Sequence, residues 1–199
     1  AANAYVQEFA EVVSARPELV AHHFSRALMP AQAIDYWQRA GDVAVLRSGY
    51  SEAIGHLGAA LDQLALLPES PERMETELAL RVKIGPALMA MKSMVAPESV
   101  ENYERASRIA ETLGDSPEGF MALWGDWLAK NSTSRILEAA RRSDDLVVLA
   151  QRLGNEEYVL QAHHSRWTNF YVMGDARISR ADTLVGIRLY DRERHRHHR

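Results

Sequence analysis

Gly49-Tyr-Ser-Glu-Ala-Ile-Gly-His-Leu-Gly-Ala-Ala-Leu61 is the stretch that decides how the whole chain is read. Within it Ala53, Leu57 and Ala60 stand at offsets 0, +4 and +7, which lie on one face of an α-helix. Two small residues let a neighbouring helix approach closely, and the large residue between them fills the space its partner leaves. The same arrangement stands upstream as Ala33, Trp37 and Ala40 in Ala33-Ile-Asp-Tyr-Trp-Gln-Arg-Ala40, and downstream as Ser99, Tyr103 and Ala106. Weaker copies follow as Ala139, Ser143 and Leu146, then Ser179, Thr183 and Gly186. The first small positions are therefore 33, 53, 99, 139 and 179, with the last two intervals equal at 40 residues. The short first interval implies one long helix, 30–48, shared by two neighbouring hairpins.

Working outward, Pro and Gly punctuate a run of helices and no strands. Residues 4–13 read as a short helix, and Pro17 opens the next, over 18–28. Pro30 opens 30–48, Gly49 breaks the chain, and Ser51 is expected to cap a helix reaching Leu67. Ser70 or Glu72 opens a long helix to about Lys92, with Pro86 inside it and a kink or break expected near Gly85. Further helices are expected over 97–114, 116–130, 134–153, 156–173 and 175–190, with a turn at 131–133. No alternating β-branched run of strand length occurs. The links are short, which forces consecutive helices antiparallel. The expected architecture is all-α, a right-handed superhelix of four to five hairpins. Their bounds are about 14–40, 41–67, 70–114, 116–154 and 156–190, in a single array over 1–199.

Composition agrees with helix. The 199 residues include 29 Ala, 21 Leu and only 11 Gly, with 47% apolar and 25% charged residues, which excludes a disordered chain. Without cysteine, disulfide scaffolds, thiolate zinc sites and thiol nucleophiles are excluded. No apolar run approaches the roughly 18 residues of a membrane span, and the start lacks a signal-peptide pattern. The net charge of −4 divides unevenly: residues 177–199 carry seven Arg against three acids, leaving −8 on the rest. An acidic body argues against a nucleic-acid partner. The basic end, with His195, His197 and His198, reads as a solvated terminus. Expected localisation is cytoplasmic.

The stretch from Gly49 to Leu61 resembles the second helix of a tetratricopeptide repeat (TPR), with Tyr50, Ala53, Leu57 and Ala60 at the family's spacing; the segment Ala33–Ala40 matches as well. The 40-residue intervals exceed the standard 34. A broader resemblance covers roughly residues 15–199. Pro17-Glu-Leu-Val-Ala-His-His-Phe24, the stretch 80–96 with its Gly85-Pro-Ala-Leu-Met-Ala90 centre, and Gly186-Ile-Arg-Leu-Tyr-Asp191 are similar to the repeat region of large bacterial signalling proteins. Those proteins carry a class III adenylate/guanylate cyclase-like domain and a signal-transduction ATPase domain ahead of the repeats. The resemblance implies a repeat-array fragment beside an ATPase domain, with any cyclase activity in domains outside it. No phosphate loop and no cyclase metal-carboxylate pair is found in this sequence.

The chemistry-bearing residues read mostly as structure. His22-His23 and His163-His164 are adjacent pairs that point about 100° apart on a helix, so they are read as packing and hydrogen-bonding histidines rather than metal ligands. Glu72, Glu75, Glu77 and Arg73 are read as a solvated charged face, and Arg141-Arg142-Ser-Asp-Asp145 as surface ion pairs. Met89, Met91 and Met94 are core filler or a pliable partner surface. No catalytic residue, metal site or cofactor is expected.

The aromatic residues carry the functional expectation. Trp124 and Trp127 share one helical side, and Trp167, Phe170 and Tyr171 another. As first helices of successive hairpins, these would line a concave surface, and Trp and Tyr are over-represented at binding hot spots. The expected groove is Arg81, Met91, Trp124, Leu128, His164, Thr168 and Tyr171. Trp167 is read as inter-hairpin core or as groove, and it stands where the standard repeat has Gly or Ala. The function expected is a non-catalytic surface for a protein, a peptide or a small effector. Self-association is expected through an apolar strip near Ile187 and Tyr190, with the basic tail against a second copy.

Overall fold

The computed structural model describes residues 16–194; the helix expected over 4–13 and the histidines of the basic end lie outside them. Among the described residues every regular element is an α-helix: α1 Pro17–Arg26, α2 Pro30–Leu46, α3 Tyr50–Leu64, α4 Pro71–Lys92, α5 Pro97–Leu113, α6 Pro117–Ser132, α7 Ile136–Leu153, α8 Glu156–Val172 and α9 Ala176–Leu189. Five helices start on a proline, where the missing N–H would be unsatisfied anyway. Ser70 Oγ accepts from Arg73 N–H (3.2 Å), Ser116 Oγ from Gly119 N–H (2.9 Å) and Asp175 Oδ1 from Ile178 N–H (3.0 Å), each satisfying a donor of a first turn. Asn155 does the same for α8.

The chain reverses on a regular beat. Backbones with positive φ occur at Leu28, Ser48, Ser93, Gly114, Ser134, Gly154 and Gly174, close to every twenty residues except at the 65–70 loop. Such a residue turns the chain out of a helix by freeing it from right-handed φ. Glycine does this without steric cost at Gly114, Gly154 and Gly174, while Leu28, Ser48, Ser93 and Ser134 do it against their own preference. Two turns of twenty make the 40-residue interval seen in the sequence.

Two expectations need correction. Ser51 does not cap α3: Gly49 holds the N-cap position with no side-chain cap, and Ser51 lies in the first turn. Pro86 does not break α4, which runs unbroken over 22 residues with Pro86 on its exposed side. There the carbonyl that would have met the missing N–H can meet water.

The chain divides into two compact units, Ala1–Asn102 and Tyr103–Arg199, with the division inside α5. In the first unit α2 packs on α1 and on α3, and α3 on α4. Its core gathers Val20, Ala21 and Phe24 of α1, Ala33, Ile34, Trp37 and Ala40 of α2, Leu57, Ala60 and Leu64 of α3, and Leu80, Ile84 and Leu88 of α4. Ala44, Ala53 and Ala87 form a small second cluster. The hairpin boundary drawn at 40–41 falls inside α2, which is continuous. Here the large residue of the sequence motif meets a glycine: a Cβ built on Gly41 would stand 2.6 Å from Leu57 Cγ. Trp37 is buried too, and its Nε1–H donates to Ser25 Oγ (3.1 Å).

In the second unit α6 packs on α7, α7 on α8 and α8 on α9, and α8 also reaches back to α6. The large-into-glycine contact recurs twice. A Cβ on Gly125 of α6 would come 2.0 Å from the Tyr103 ring, and one on Gly186 of α9 would come 2.4 Å from the Trp167 ring. Close packing at Trp167 is thus kept by moving the missing side chain to the opposite helix.

Candidate functional site

The second unit holds five of the expected groove residues on α6 and α8, and these two helices are pinned from within. Trp127 Nε1–H donates to Oδ1 of Asn169, and Asn169 Nδ2–H donates to the Ile136 carbonyl (3.2 Å), so one fully buried side chain ties α6, α8 and α7 together. A buried amide satisfied on both ends fixes the register of the helices it joins. Trp127 is therefore core, although it shares a helical side with Trp124 at a ring separation of 6.4 Å.

Around that junction the five residues grade from half-buried to open. Trp124 and Leu128 are half-buried, and Trp124 Nε1–H has no hydrogen-bond acceptor. Thr168 is half-buried, its hydroxyl turned onto the His164 carbonyl (2.9 Å). His164 is exposed, yet its ring lies 5.0 Å from that of Trp167, and desolvation there holds the imidazole below its ordinary pKa. Tyr171 is 76% exposed. In the first unit Met91 is 54% exposed, and Met94 is exposed as well, so these are not core filler. Arg81 is occupied: its Nε–H donates to Glu77 Oε1 (2.8 Å). Glu77 is buried and leaves the solvated face expected for it, because Arg81 sits one turn away to pair with it.

Of the repeat-packing residues, Ala33, Ala53, Leu57, Ala60, Ser99 and Ala106 have no exposed surface, and Trp37, Ala40 and Tyr103 only a few per cent. Burial pushes the Tyr103 phenol up to about 12.

Sequence reasoning missed two charge networks. Asp126 is buried on α6 and receives Lys130 from its own helix and Arg142 Nε–H from α7 (2.8 Å). Arg142 also reaches Glu111 (2.7 Å) and Asp145 (3.4 Å). The i, i+3 pair with Asp145 was legible; the stronger partners lie 16 and 31 residues away and were not. The second network joins α7, α8 and α9: Asp182, buried, meets His163 Nδ1 (2.6 Å) and Arg166 (3.1 Å), and Arg166 reaches Asp144 (2.6 Å). His163 is thus a hydrogen-bonding histidine. In the first unit His22 sets its ring edge against Trp37 at 4.7 Å.

Two clefts open on these units. One, about 400 Å³, lies between the end of α5, the start of α6, and α7, with Leu123 and Leu149 inside and Glu111, Asp115, Arg142, Asp145 and Arg152 around it. Arg152 and Asp115 pair at its edge through two contacts of 2.7 and 2.9 Å. The other, about 540 Å³, includes Ala40, Ala44, Arg47, Glu52 and His56. None of the expected groove residues lines either cleft. Among the described residues no three His, Cys, Asp or Glu side chains gather as a metal site. No helix among them is long and apolar enough to cross a membrane.

The chain has the all-helical fold of TPR-like repeats. It is similar to the crystal structure of nearly identical TPR-like repeats assigned to a kinesin light chain of Podospora anserina. That match has a TM-score of 0.67 and 17% identity, over 94% of this chain and 90% of that one. It is also similar to an uncharacterized protein of Rhizobium meliloti (strain 1021), 25% identical over 177 residues; these are 88% of this chain and 17% of that relative. The chain thus spans about a sixth of the length of the curated relative it matches. No protein-family model matches the sequence.

Proposed function

We propose that the chain is a non-catalytic protein- or peptide-binding repeat module whose second unit receives the partner on α6 and α8. The observation that carries this reading is Tyr171, an aromatic side chain left 76% exposed on a helix whose buried side is fixed by Asn169. A large, rigid amphipathic ring on a stiff support loses little entropy on binding. Trp124, Leu128, His164 and Thr168 supply the adjoining surface. The TPR-like fold supports the reading by analogy, since its repeats present extended surfaces.

The finer reading places this module in a signalling protein of the cyclase/ATPase type, where occupancy of the surface alters packing against the neighbouring ATPase domain. It rests on the resemblance of residues 17–24, 80–96 and 186–191 to the repeat region of such proteins. The Rhizobium meliloti relative is about six times as long as the matched segment, which leaves room for such domains.

The test is selection of peptides from a displayed library against the chain, with counter-selection against Tyr171→Ala and Trp124→Ala. Ligands weakened about tenfold or more by either change, at an unaltered melting temperature, support the surface. A selection yielding only ligands indifferent to both overturns it. Micromolar binding of ATP with Mg²⁺ by calorimetry would overturn the non-catalytic part.

A further inference from the structure

The repeat is not filled evenly. Adding 40 to the residue number carries Gly119 and Leu123 of α6 onto Val159 and His163 of α8, and Arg142 of α7 onto Asp182 of α9. Between α8 and α9 these positions close the space: Val159 brings a half-buried side chain, and His163 Nδ1 meets Asp182 Oδ1 at 2.6 Å. Between α6 and α7 the same three positions leave a gap. Gly119 brings no side chain, Leu123 has no polar group to offer, and Arg142 turns to Asp126 (2.8 Å) and Glu111 (2.7 Å). The gap is the cleft of about 400 Å³, floored by the buried Ala110, Leu123 and Leu149, with Val148 half exposed at its edge. That volume is within the range of small-molecule sites. Its walls are α5, α6 and α7, with α8 packed on α7 and α9 on α8, so it is an interior feature of the second unit and not an end face.

Charge selects the occupant. Four carboxylates, Glu111, Asp115, Asp145 and Asp126, line the cleft or stand one contact behind it, against three cations, Arg142, Arg152 and Lys130. Lys130 is further shared with Glu104 (3.8 Å). Arg142 serves three of the carboxylates at once, and Asp145 has the longest of those contacts, 3.4 Å against 2.7 Å for Glu111 and 2.8 Å for Asp126. Desolvation, with Glu111 and Asp144 adding to it, holds the Asp145 carboxyl above the ordinary aspartate range. The cleft thus sets more negative charge than its own cations balance beside an apolar floor. A neutral or anionic occupant leaves that excess in place or adds to it, while a monocation removes it.

We infer that the cleft between α5, α6 and α7 is a binding site for a small organic monocation with an apolar body, an alkyl or arylalkyl amine. Its ammonium group sits against Asp145 and Glu111, and its hydrocarbon part covers Leu123 and Leu149. The site shares no residue with the surface of Trp124 and Tyr171 and does not rest on the reading given to them.

The probe is phenylbutylamine, a primary ammonium on an apolar body. Its controls are phenylbutyrate, which reverses the charge, and methylammonium, which keeps the charge without the body. Titrated into the isotope-labelled whole chain and followed by amide NMR, the amine should bind saturably with a dissociation constant of about 1 mM or below. It should shift the amides of Gly114 and Gly119, which line the cleft. Both controls should bind more weakly by about tenfold or more. Asp145→Asn should weaken the amine by about fivefold or more, while Arg152→Gln, which releases Asp115, should strengthen it. Both side chains are more than half exposed, so circular dichroism should report native helix in either variant. Tyr171→Ala should leave the amine's affinity unchanged. Binding of the amine no tighter than that of either control, indifference to Asp145→Asn, or shifts confined to helices other than α5, α6 and α7 overturns the proposal.

Discussion

Glycine acts in opposite senses at different positions of this chain. At Gly125 an added methyl group meets the Tyr103 ring at 2.0 Å, and both are buried, so nothing flexible can give way. Gly125→Ala should destabilise by about 1–3 kcal/mol through overpacking. At Gly55 and Gly58, inside α3, nothing lies within 4 Å of the added Cβ. There the same substitution should stabilise by about 0.5–1 kcal/mol, since alanine loses less backbone entropy on entering a helix. Urea denaturation of the three variants checks both signs. A stabilised Gly125→Ala would mean that Tyr103 does not pack where described. Asp145 supplies a pH argument. Partial desolvation raises the folded pKa of this exposed carboxyl against the pull of Arg142, with help from the nearby carboxylates Glu111 and Asp144. A raised carboxylate pKa means that the folded state binds the proton more tightly. The stability this gives is full below the ordinary aspartate pKa and is lost as pH rises through the raised one. Asp145→Asn should therefore be more stable than the native chain at neutral pH and lose that advantage in acid; equal midpoints at pH 7 would refute it.

At the scale of the element, what could be read early was what is local. Small-large-small spacing in Ala53, Leu57 and Ala60 depends on residues within two helical turns, and all three are fully buried. Helix starts at Pro30, Pro97 and Pro117 follow from one residue's missing donor. The start of α3 was misread because Ser51 and Gly49 are both acceptable caps, and nothing local chooses between them. Trp167 was ambiguous because its fit depends on Gly186, on another helix. The Asp126 network was illegible for the same reason: Lys130 is one turn away, but Arg142 comes from α7 and Glu111 from α5. The candidate surface on α6 and α8 was legible as a list of residues, while which of them are open depended on the Trp127–Asn169–Ile136 junction. That junction has its own test. Asn169→Leu removes the acceptor of Trp127 Nε1–H, leaving that donor buried and unmatched, while the Ile136 carbonyl keeps its place in the first turn of α7. It should cost about 1–3 kcal/mol, read as a lower thermal midpoint.

Across the whole molecule, stability is built from pairings between helices near in sequence: α2 with α1 and α3, α3 with α4, α6 with α7, α7 with α8, and α8 with α9. In such a fold a core lesion is felt by the helices that touch it and fades with sequence distance. Leu57 and Leu146 are both fully buried, one in each compact unit, so they make a matched pair. Leu57→Ala should cost about 2–5 kcal/mol and should speed amide hydrogen exchange in α2, α3 and α4, where Leu57 lies among Trp37, Ala60, Leu80 and Ile84. Exchange in α8 and α9 should stay at the native rate. Leu146→Ala should do the reverse, opening α6, α7 and α8 and sparing α1 and α2. Mass-spectrometric exchange by peptide resolves the two cases. If either lesion accelerated exchange uniformly from residue 16 to residue 194, the two units would unfold as one, and the energetics would belong to a single cooperative core instead of a row of neighbouring pairs.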